Sequence, residues 1–411
     1  MFEIYIWILC FISLYVSIFW LIIVGLGEPK EPQPLKEIPK VTVVVPAYNE
    51  EKNIAKTLDS ILNLDYPKDK LKIIVADDAS TDNTPLIIKE YCKKHKNIKL
   101  IQNKINSGNA AGTLNAALQQ IDTEFFARVD SDSFVDKNSL KLIVNHFSDP
   151  EIGAVISSVL INNDINYLGR IQRLEYILSS FVRKLISRIG ALHMTHGVMT
   201  VYRTDLIKKL GGFDKNNLTE DLEVALKLRY NKYNVIIEPR SINYTNGPLN
   251  IRAFWKQRVR WFRGFITNNW KYKKMFFNKN YGLIGLFQLP LNVTTMLMVL
   301  FSFLLFAYQF LRYVYTTLTK IITLGFGIFD FIIEWPSVKD FILSLDIRIW
   351  FPVIASFIFG FYIYIYAHKY FNQRWKFHFI TLIYLLLYPM LRSLQWMNAF
   401  VLEAFGAKRK W

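Results

Sequence analysis

The sequence predicts an α/β domain on a largely parallel sheet, set between transmembrane helices and bordered by amphipathic interface helices. Three observations carry that reading. Residues 4–27 carry no charge, and about 20 apolar residues suffice to cross a bilayer core. From about 40 to 250, short β-rich runs alternate with helical patterns, the pattern of strands buried on both faces. After residue 280 long apolar stretches return.

The composition agrees. Of 411 residues, 52% are hydrophobic, yet 20% are charged, as expected for a charged domain joined to apolar spans. Lys and Arg number 50 against 33 acids, giving +17. Such an excess suits nucleic acid, anionic lipid or a phosphate-rich substrate. The basic residues lie beside apolar stripes, which selects a lipid bilayer together with a diphosphate and sets nucleic acid aside. Cys10 and Cys92 are the two cysteines; one sits in an apolar span and one in the polar part, so no disulfide is expected. No His/Cys cluster has zinc spacing.

Taken in order, residues 1–27 form an N-terminal transmembrane helix, since a signal peptide would show a basic start and a cleavage site. Residues 28–39, rich in proline, read as an extended linker. The α/β domain spans 40–250, with strands expected at VTVVVPAY, LKIIVADD, IKLIQN, FFARVDSD and IGAVISS and amphipathic helices at 51–63 and 84–95. A basic helix at 167–189 repeats apolar residues at Leu168, Ile171, Leu174, Leu178, Phe181 and Leu185. It reads as interfacial, with packing on the domain as the alternative. Residues 251–280 hold no acid, and Ile251, Trp255, Val259, Phe262 and Ile266 form a stripe suited to the bilayer interface. Residues 281–411 form a C-terminal membrane region, with spans expected at 281–311, 350–367 and 377–400 and a shorter apolar run at 321–333. The terminal Lys408, Arg409, Lys410 and Trp411 suit a cytosolic membrane interface.

Five motifs carry chemistry. Pro46, Tyr48 and Glu50 end the first strand, where ligands bind in open α/β sheets. Asp78 ends the second, where a carboxylate accepts hydrogen bonds from a base or ribose; the competing role there is helix capping by Ser80, Thr81 or Asp82. Asp130 and Asp132 lie one residue apart at a strand end. Such a pair can hold Mg²⁺ or Mn²⁺ against a diphosphate, as against a plain solvated turn. Thr219, Glu220 and Asp221 open a helix, with Thr219 the expected cap; Asp221 is the candidate general base, with Glu220 second. Gln257, Arg260 and Trp261 lie on the polar side of the 251–280 segment, where Trp261 can stack on a sugar ring and Arg260 can reach a diphosphate.

In this order the motifs resemble the processive family-2 glycosyltransferases, the synthases of cellulose, hyaluronan, chitin and poly-N-acetylglucosamine. The resemblance covers roughly residues 40–265, with QRVRW its most specific part, and TEDLEVALKLR looks nearest to the poly-N-acetylglucosamine branch. It implies a glycosyltransferase-A fold, a UDP-sugar donor, a divalent cation, inversion at the anomeric carbon, and extrusion of a polysaccharide from a cytosolic domain in the cell membrane. By the same resemblance Asp78 contacts the nucleotide, Asp130 and Asp132 the metal-diphosphate, and Asp221 is the base. Gln257, Arg260 and Trp261 then line the acceptor entrance, and an accessory membrane subunit is expected. One departure stands out: the stretch 106–112 lacks the lysine that family members often carry there. The alternative reading is a transferase that adds one sugar to a polyprenyl phosphate or other lipid. A binding subunit without catalysis is disfavoured by the intact Asp130, Asp132 and Asp221.

Overall fold

The computed structural model describes residues 2–27, 32, 34–324, 347–373 and 379–408. The chain divides into two units: one of Met1–Gly27, Asn292–Trp375 and Met390–Ser393, the other of Glu28–Leu291, Lys376–Pro389 and Leu394–Trp411.

The larger unit is built on an eight-stranded sheet of order β3-β2-β1-β4-β7-β6-β8-β5. Its strands are β1 (Val41–Ala47), β2 (Leu71–Asp77), β3 (Ile98–Gln102), β4 (Phe125–Val129), β5 (Ser133–Phe134), β6 (Ile152–Ile161), β7 (Val198–Arg203) and β8 (Asn234–Thr245). Strands β3, β2, β1 and β4 run parallel; β1, β2 and β4 are almost wholly buried, as the inner strands of such a layer require, while the edge strand β3 is partly exposed. Strand β7 is antiparallel to β4 and to β6, and β5 is antiparallel to β8. Strands β6 and β8 pair in parallel along most of their length, so the sheet is largely parallel, as expected, with antiparallel pairing at β7 and β5. Strands β5, β7 and β8 have no counterpart among the expected runs, because polar residues interrupt them. Those residues are paired inside the domain: Asn243 Oδ1 accepts from Ser139 Oγ at 2.7 Å, and Glu238 from His146 at 2.8 Å.

Pro46 is tolerated in the central strand β1 because pairing with β4 stops at Val44↔Arg128, while pairing with β2 continues to Ala47↔Asp77. The helices that cover the sheet include α2 (Ile54–Leu62), α3 (Thr84–Lys94), α4 (Ala110–Leu118), α5 (Ser139–Val144), α6 (Tyr167–Arg188), α7 (Thr204–Lys209), α8 (Glu220–Tyr230) and α9 (Ile251–Lys271). Helix α6 packs on β6 and β8. Its buried side is Gln172, Ile177, Ser180, Phe181, Lys184 and Leu185, and Ser180 Oγ donates to Val159 O at 3.0 Å. Only Phe181 and Leu185 of the expected stripe face that way, so packing on the domain, the alternative reading, describes this helix.

The smaller unit contains α1 (Phe2–Gly25), α10 (Leu289–Leu324) from Asn292 onward and α11 (Ile347–Tyr370). Helix α1 packs along α11, and Tyr5 OH donates to Met298 O at 3.1 Å. In the larger unit α12 (Phe379–Leu382) passes through a π turn at Ile383–Leu387 toward α13 (Tyr388–Ala404). Four described helices are long and apolar enough to cross a membrane: Ile4–Gly25, Ile284–Thr323, Trp350–Tyr370 and Phe379–Ala404. The apolar run at 321–333 enters α10 as far as Leu324; its remainder lies outside the described residues, as do much of the 28–39 linker and Arg409–Trp411. Cys10 and Cys92 are both free.

Candidate active site

The carboxyl ends of β1, β2 and β4 bring the first three motifs to one edge of the sheet. The β1 and β2 loops are bolted together: Asn49 N donates to Ser80 Oγ at 2.9 Å, Thr81 N to Asn49 Oδ1 at 2.8 Å, and Glu50 N to Thr84 Oγ1 at 2.7 Å. Asn49 and Ala79 reach this arrangement with positive φ of 54° and 57°. None of the expected capping residues holds the N-cap position of α3, which is Asn83 without a side-chain cap bond; Asp82, one residue earlier, accepts from Thr84 N at 3.0 Å. Tyr48 stands half exposed at the edge.

Asp78 is buried, and its carboxylate is bonded within the protein. Asn103 Nδ2 donates to it at 2.7 Å, and Ser107 donates through N and Oγ at 3.0 and 2.9 Å. A nucleotide contact from this residue therefore has to share a carboxylate that also fixes the 103–109 loop, the stretch that lacks the lysine.

Asp130, Asp132 and Glu50 converge on the same edge. Burial pushes the Asp132 carboxyl up to about 7, and the charges of Asp130 and Glu50 add to it. Glu50 is raised too, by burial first and then by Asp130 and Asp82, against a hydrogen bond from Asn53. Carboxylates that raise one another in this way form a site short of positive charge. Among the described residues no three metal-ligating side chains gather closely enough to cage an ion. A carboxylate pair completed by substrate phosphates is the usual Mg²⁺ arrangement, and these residues fit it.

Arg128 was not foreseen. Side chains two apart on a strand share a face, so Arg128 lies beside Asp130, and its Nη2 sits 3.1 Å from Asp130 Oδ1 and 2.8 Å from Glu220 Oε1. Burial alone would lower the guanidinium pKa; Asp130 and Glu220 outweigh it and hold Arg128 above its ordinary value. One buried cation thus joins the end of β4 to the start of α8, two elements far apart in the chain. Gly197 was missed as well. Its carbonyl accepts from Asp130 N at 2.8 Å, and a Cβ there would sit 1.8 Å from Asp130 Oδ2.

Glu220 is buried on Arg128, which leaves Asp221 the more accessible of the two acids. Asp221 Oδ1 accepts from Leu222 N at 2.8 Å, and its carbonyl from Thr195 Oγ1 at 2.7 Å. Thr219 occupies the N-cap position of α8 without making a side-chain cap bond. Its hydroxyl accepts from Asn268 Nδ2 at 3.1 Å instead, which corrects the expected cap.

On α9, Arg260 Nη1 donates to Leu218 O at 3.1 Å, beside the acid loop. Trp261 has the Arg258 guanidinium 4.2 Å from its ring centroid. Arg258 itself is fully buried and paired with Glu175 at 2.6 Å. Gln257 Oε1 is buried. The apolar stripe of α9 does not lie free for a bilayer: Val259 and Phe262 pack with Ala399, and Trp255 and Ile266 join Trp396 and Leu402 around them.

The sheet, its strand-end acids and the acid loop define a glycosyltransferase-A domain. Residues 42–211 match the profile of Glycosyl transferase family 2. Among solved structures, the fold is similar to the mannosyltransferase PcManGT from Pyrobaculum calidifontis, in complex with GDP-Man and Mn²⁺. The TM-score is 0.54 at 26% identity, over 66% of this chain and 75% of that one. Among curated proteins, the chain is 32% identical over 231 residues to a poly-beta-1,6-N-acetyl-D-glucosamine synthase of Staphylococcus epidermidis, covering 56% of this chain and 55% of that protein. It is 29% identical over 268 residues to the synthase of Staphylococcus aureus strain COL, covering 62% of this chain and 64% of that protein. The chain thus matches a little over half of the relatives' length.

Proposed function

We propose that this protein is a membrane-bound inverting hexosyltransferase. It moves N-acetylglucosamine or a related hexose from a UDP-sugar onto a growing polysaccharide, from the cytosolic face of the cell membrane, and translocates the product. The observation that carries this reading is Arg128, which ties Asp130 to Glu220. It draws a diphosphate-type carboxylate pair and an acid loop into one site. The names of the staphylococcal relatives support N-acetylglucosamine, and the apolar helices support the membrane.

Asp130 and Asp132 would hold Mg²⁺ or Mn²⁺, which when bound neutralises charge on the leaving diphosphate. Asp221 takes the proton of an acceptor hydroxyl as that oxygen bonds to the anomeric carbon. The bond from that carbon to the diphosphate oxygen breaks, and UDP leaves with the electron pair. Attack from the face opposite the diphosphate inverts the centre. Arg128 holds Glu220 in place, so that Asp221 follows the backbone of a fixed helix start. Gln257, Arg260 and Trp261 meet the acceptor.

The test is purified full-length protein incubated with a panel of radiolabelled UDP-sugars and Mg²⁺ or Mn²⁺, with the product sized. A ladder or high-mass polymer from UDP-N-acetylglucosamine is expected. A single sugar on lipid under donor excess would overturn the polymerase reading, and no transfer from any donor would overturn the enzyme.

A further inference from the structure

Helix α9 is gripped on two sides. Toward the acid loop, Asn268 Nδ2 donates to Asn217 Oδ1 at 3.2 Å and to Thr219 Oγ1 at 3.1 Å, and Asn217 Nδ2 donates back to Asn268 Oδ1 at 2.6 Å. Both amides are buried. One turn earlier the α9 backbone touches the loop directly, since a Cβ on Gly264 would fall 2.1 Å from Thr219 Oγ1. At the end of the helix, Lys271 Nζ and Tyr272 OH both donate to Glu223 Oε1 at 2.7 Å. Toward the other side, Arg263 donates to Glu403 Oε1 at 2.5 Å and to the carbonyls of Ala407 and Lys408 at 2.6 and 3.3 Å. The Phe262 ring stacks on Trp396 at 4.0 Å between centroids.

We infer that Arg263 and Asn268 are positioning residues for the acid loop, and that the C-terminal end of the chain, acting through Arg263, sets where Asp221 stands. The inference deepens the proposed function and rests on its assignment of Asp221 as base. The physical argument is one of discrete fit. A reciprocal pair of buried amides satisfies its donors and acceptors in one register only, and a slip leaves buried polar groups unpaired. The Gly264 contact leaves no room for the helix to approach further. Arg263 presents a planar fork to one carboxylate and two successive carbonyls, a geometry that lysine, a flexible point charge, does not reproduce. The carbonyls of Ala407 and Lys408 lie just past the last turn of α13, where helix ends need partners. Arg263 supplies them, and it does so from the helix that also holds Thr219. The 403–408 segment contacts α9, and α9 contacts the loop; the tail therefore acts on Asp221 through α9.

The experiment uses the full chain in nanodiscs. Arg263→Ala is expected to lower kcat roughly 10²-fold, the scale of an ångström-sized misplacement of a reacting group, with donor KM and UDP affinity within about twofold. Arg263→Lys should recover part of that loss. Amide hydrogen exchange should quicken at 217–223 and stay unchanged at 71–78. Glu403→Gln and Asn268→Ser carry the same test should Arg263→Ala not fold, with smaller losses of the same pattern. Unchanged kcat with unchanged exchange at 217–223 would overturn the inference. So would a fall in kcat matched by an equal fall in UDP affinity, which marks general loosening. The exchange readout does not depend on the role of Asp221. An Asp221→Asn variant with full turnover would remove the base assignment, while exchange at 217–223 would still decide the coupling to the tail.

Discussion

Glu220 is buried and Asp132 half-buried beside the same edge of the sheet, but their nearest charges are opposite in sign. Glu220 has the Arg128 guanidinium at 2.8 Å. Asp132 has Asp130 and Glu50, and its carboxyl is pushed up to about 7 by burial and by them. Burial and then Asp221 raise the Glu220 carboxyl, and Arg128 opposes them; breaking that pair leaves a buried charge alone. Asp132 is left short of positive charge, and an external cation would supply it. Arg128 also reaches Asp130 at 3.1 Å, so among the described residues it is Asp132 and Glu50 that lack a cation of their own, and the effect of EDTA tests whether a ligand supplies it.

The largest effect expected is at the uncompensated cluster. Asp132→Asn should abolish transfer, with kcat down by on the order of 10³-fold or more, because a metal contributes several kcal/mol of charge stabilisation. EDTA should silence the wild type, and added Mg²⁺ or Mn²⁺ should restore it. The same variant should unfold no more easily than wild type, since neutralising one of several repelling carboxylates costs the fold nothing. Full turnover in EDTA would remove the metal from the mechanism.

The compensated side predicts the reverse pattern. Arg128→Ala should destabilise the protein by about 3–5 kcal/mol, the scale for breaking a buried pair. A second change, Glu220→Gln, should recover part of that by removing the stranded charge. Differential scanning in detergent reads both. Additive losses would mean that the two residues do not couple. Asp221→Asn, next to this pair, should cut turnover roughly 10²–10⁴-fold with UDP affinity kept; a collapse of UDP affinity would make Asp221 a donor ligand instead.

The two clusters also differ in how far the sequence discloses them. Asp130, Asp132 and Glu50 follow continuous β-branched runs, and a carboxylate after such a run is placed by the strand itself. The parallel strands β1 to β4 are legible for the same reason. Arg128 is visible in the sequence as well, but nothing local says that its partner lies at Glu220. Gly197 is one glycine among 18, and its contact with Asp130 exists only once β7 lies beside β4. Strand β8 hides behind Glu238, Arg240 and Asn243, polar residues that become tolerable when His146 and Ser139 pair with them. The α9 stripe shows the limit most plainly. Periodicity finds an apolar face, but it cannot distinguish lipid from the apolar face of α13.

Acid stability should separate the packed interior from the open edge. Burial lowers His196 to about 3 and His193 to about 4. Below pH 6.5 the unfolded chain takes up these protons and the folded one does not, so stability falls as pH drops from about 6.5 toward 4. Each histidine contributes about 1.4 kcal/mol per pH unit in that window. Glu238 is raised by burial but held down to about 2 by His146 and Arg240. Its contribution is present above the ordinary glutamate pKa and is lost below it. Paired His196→Gln and His193→Gln substitutions should flatten the upper part of the profile, and an unchanged slope there would place the acid sensitivity elsewhere.

The smallest effect expected is at Trp261, and it bears on what the site does rather than whether it works. One face of the indole is taken by the Arg258 guanidinium at 4.2 Å, a desolvated stacking worth about 1–2 kcal/mol. Arg258 is itself fixed by Glu175, so the guanidinium is held against the ring. In the proposed reaction the indole would hold an acceptor sugar without fixing its hydroxyls, so that the product could advance across it. Trp261→Ala should therefore shorten the product several-fold, on the scale of that contact, while donor hydrolysis stays near wild type because the Asp130 and Asp132 edge is untouched. Trp261→Phe should fall between the two. Arg260→Ala should lower both activities, since a guanidinium at this position can also pair with the diphosphate. If Trp261→Ala lowers hydrolysis and elongation by the same factor, the ring belongs to the donor side of the site, and the division between a donor edge and an acceptor helix is drawn in the wrong place.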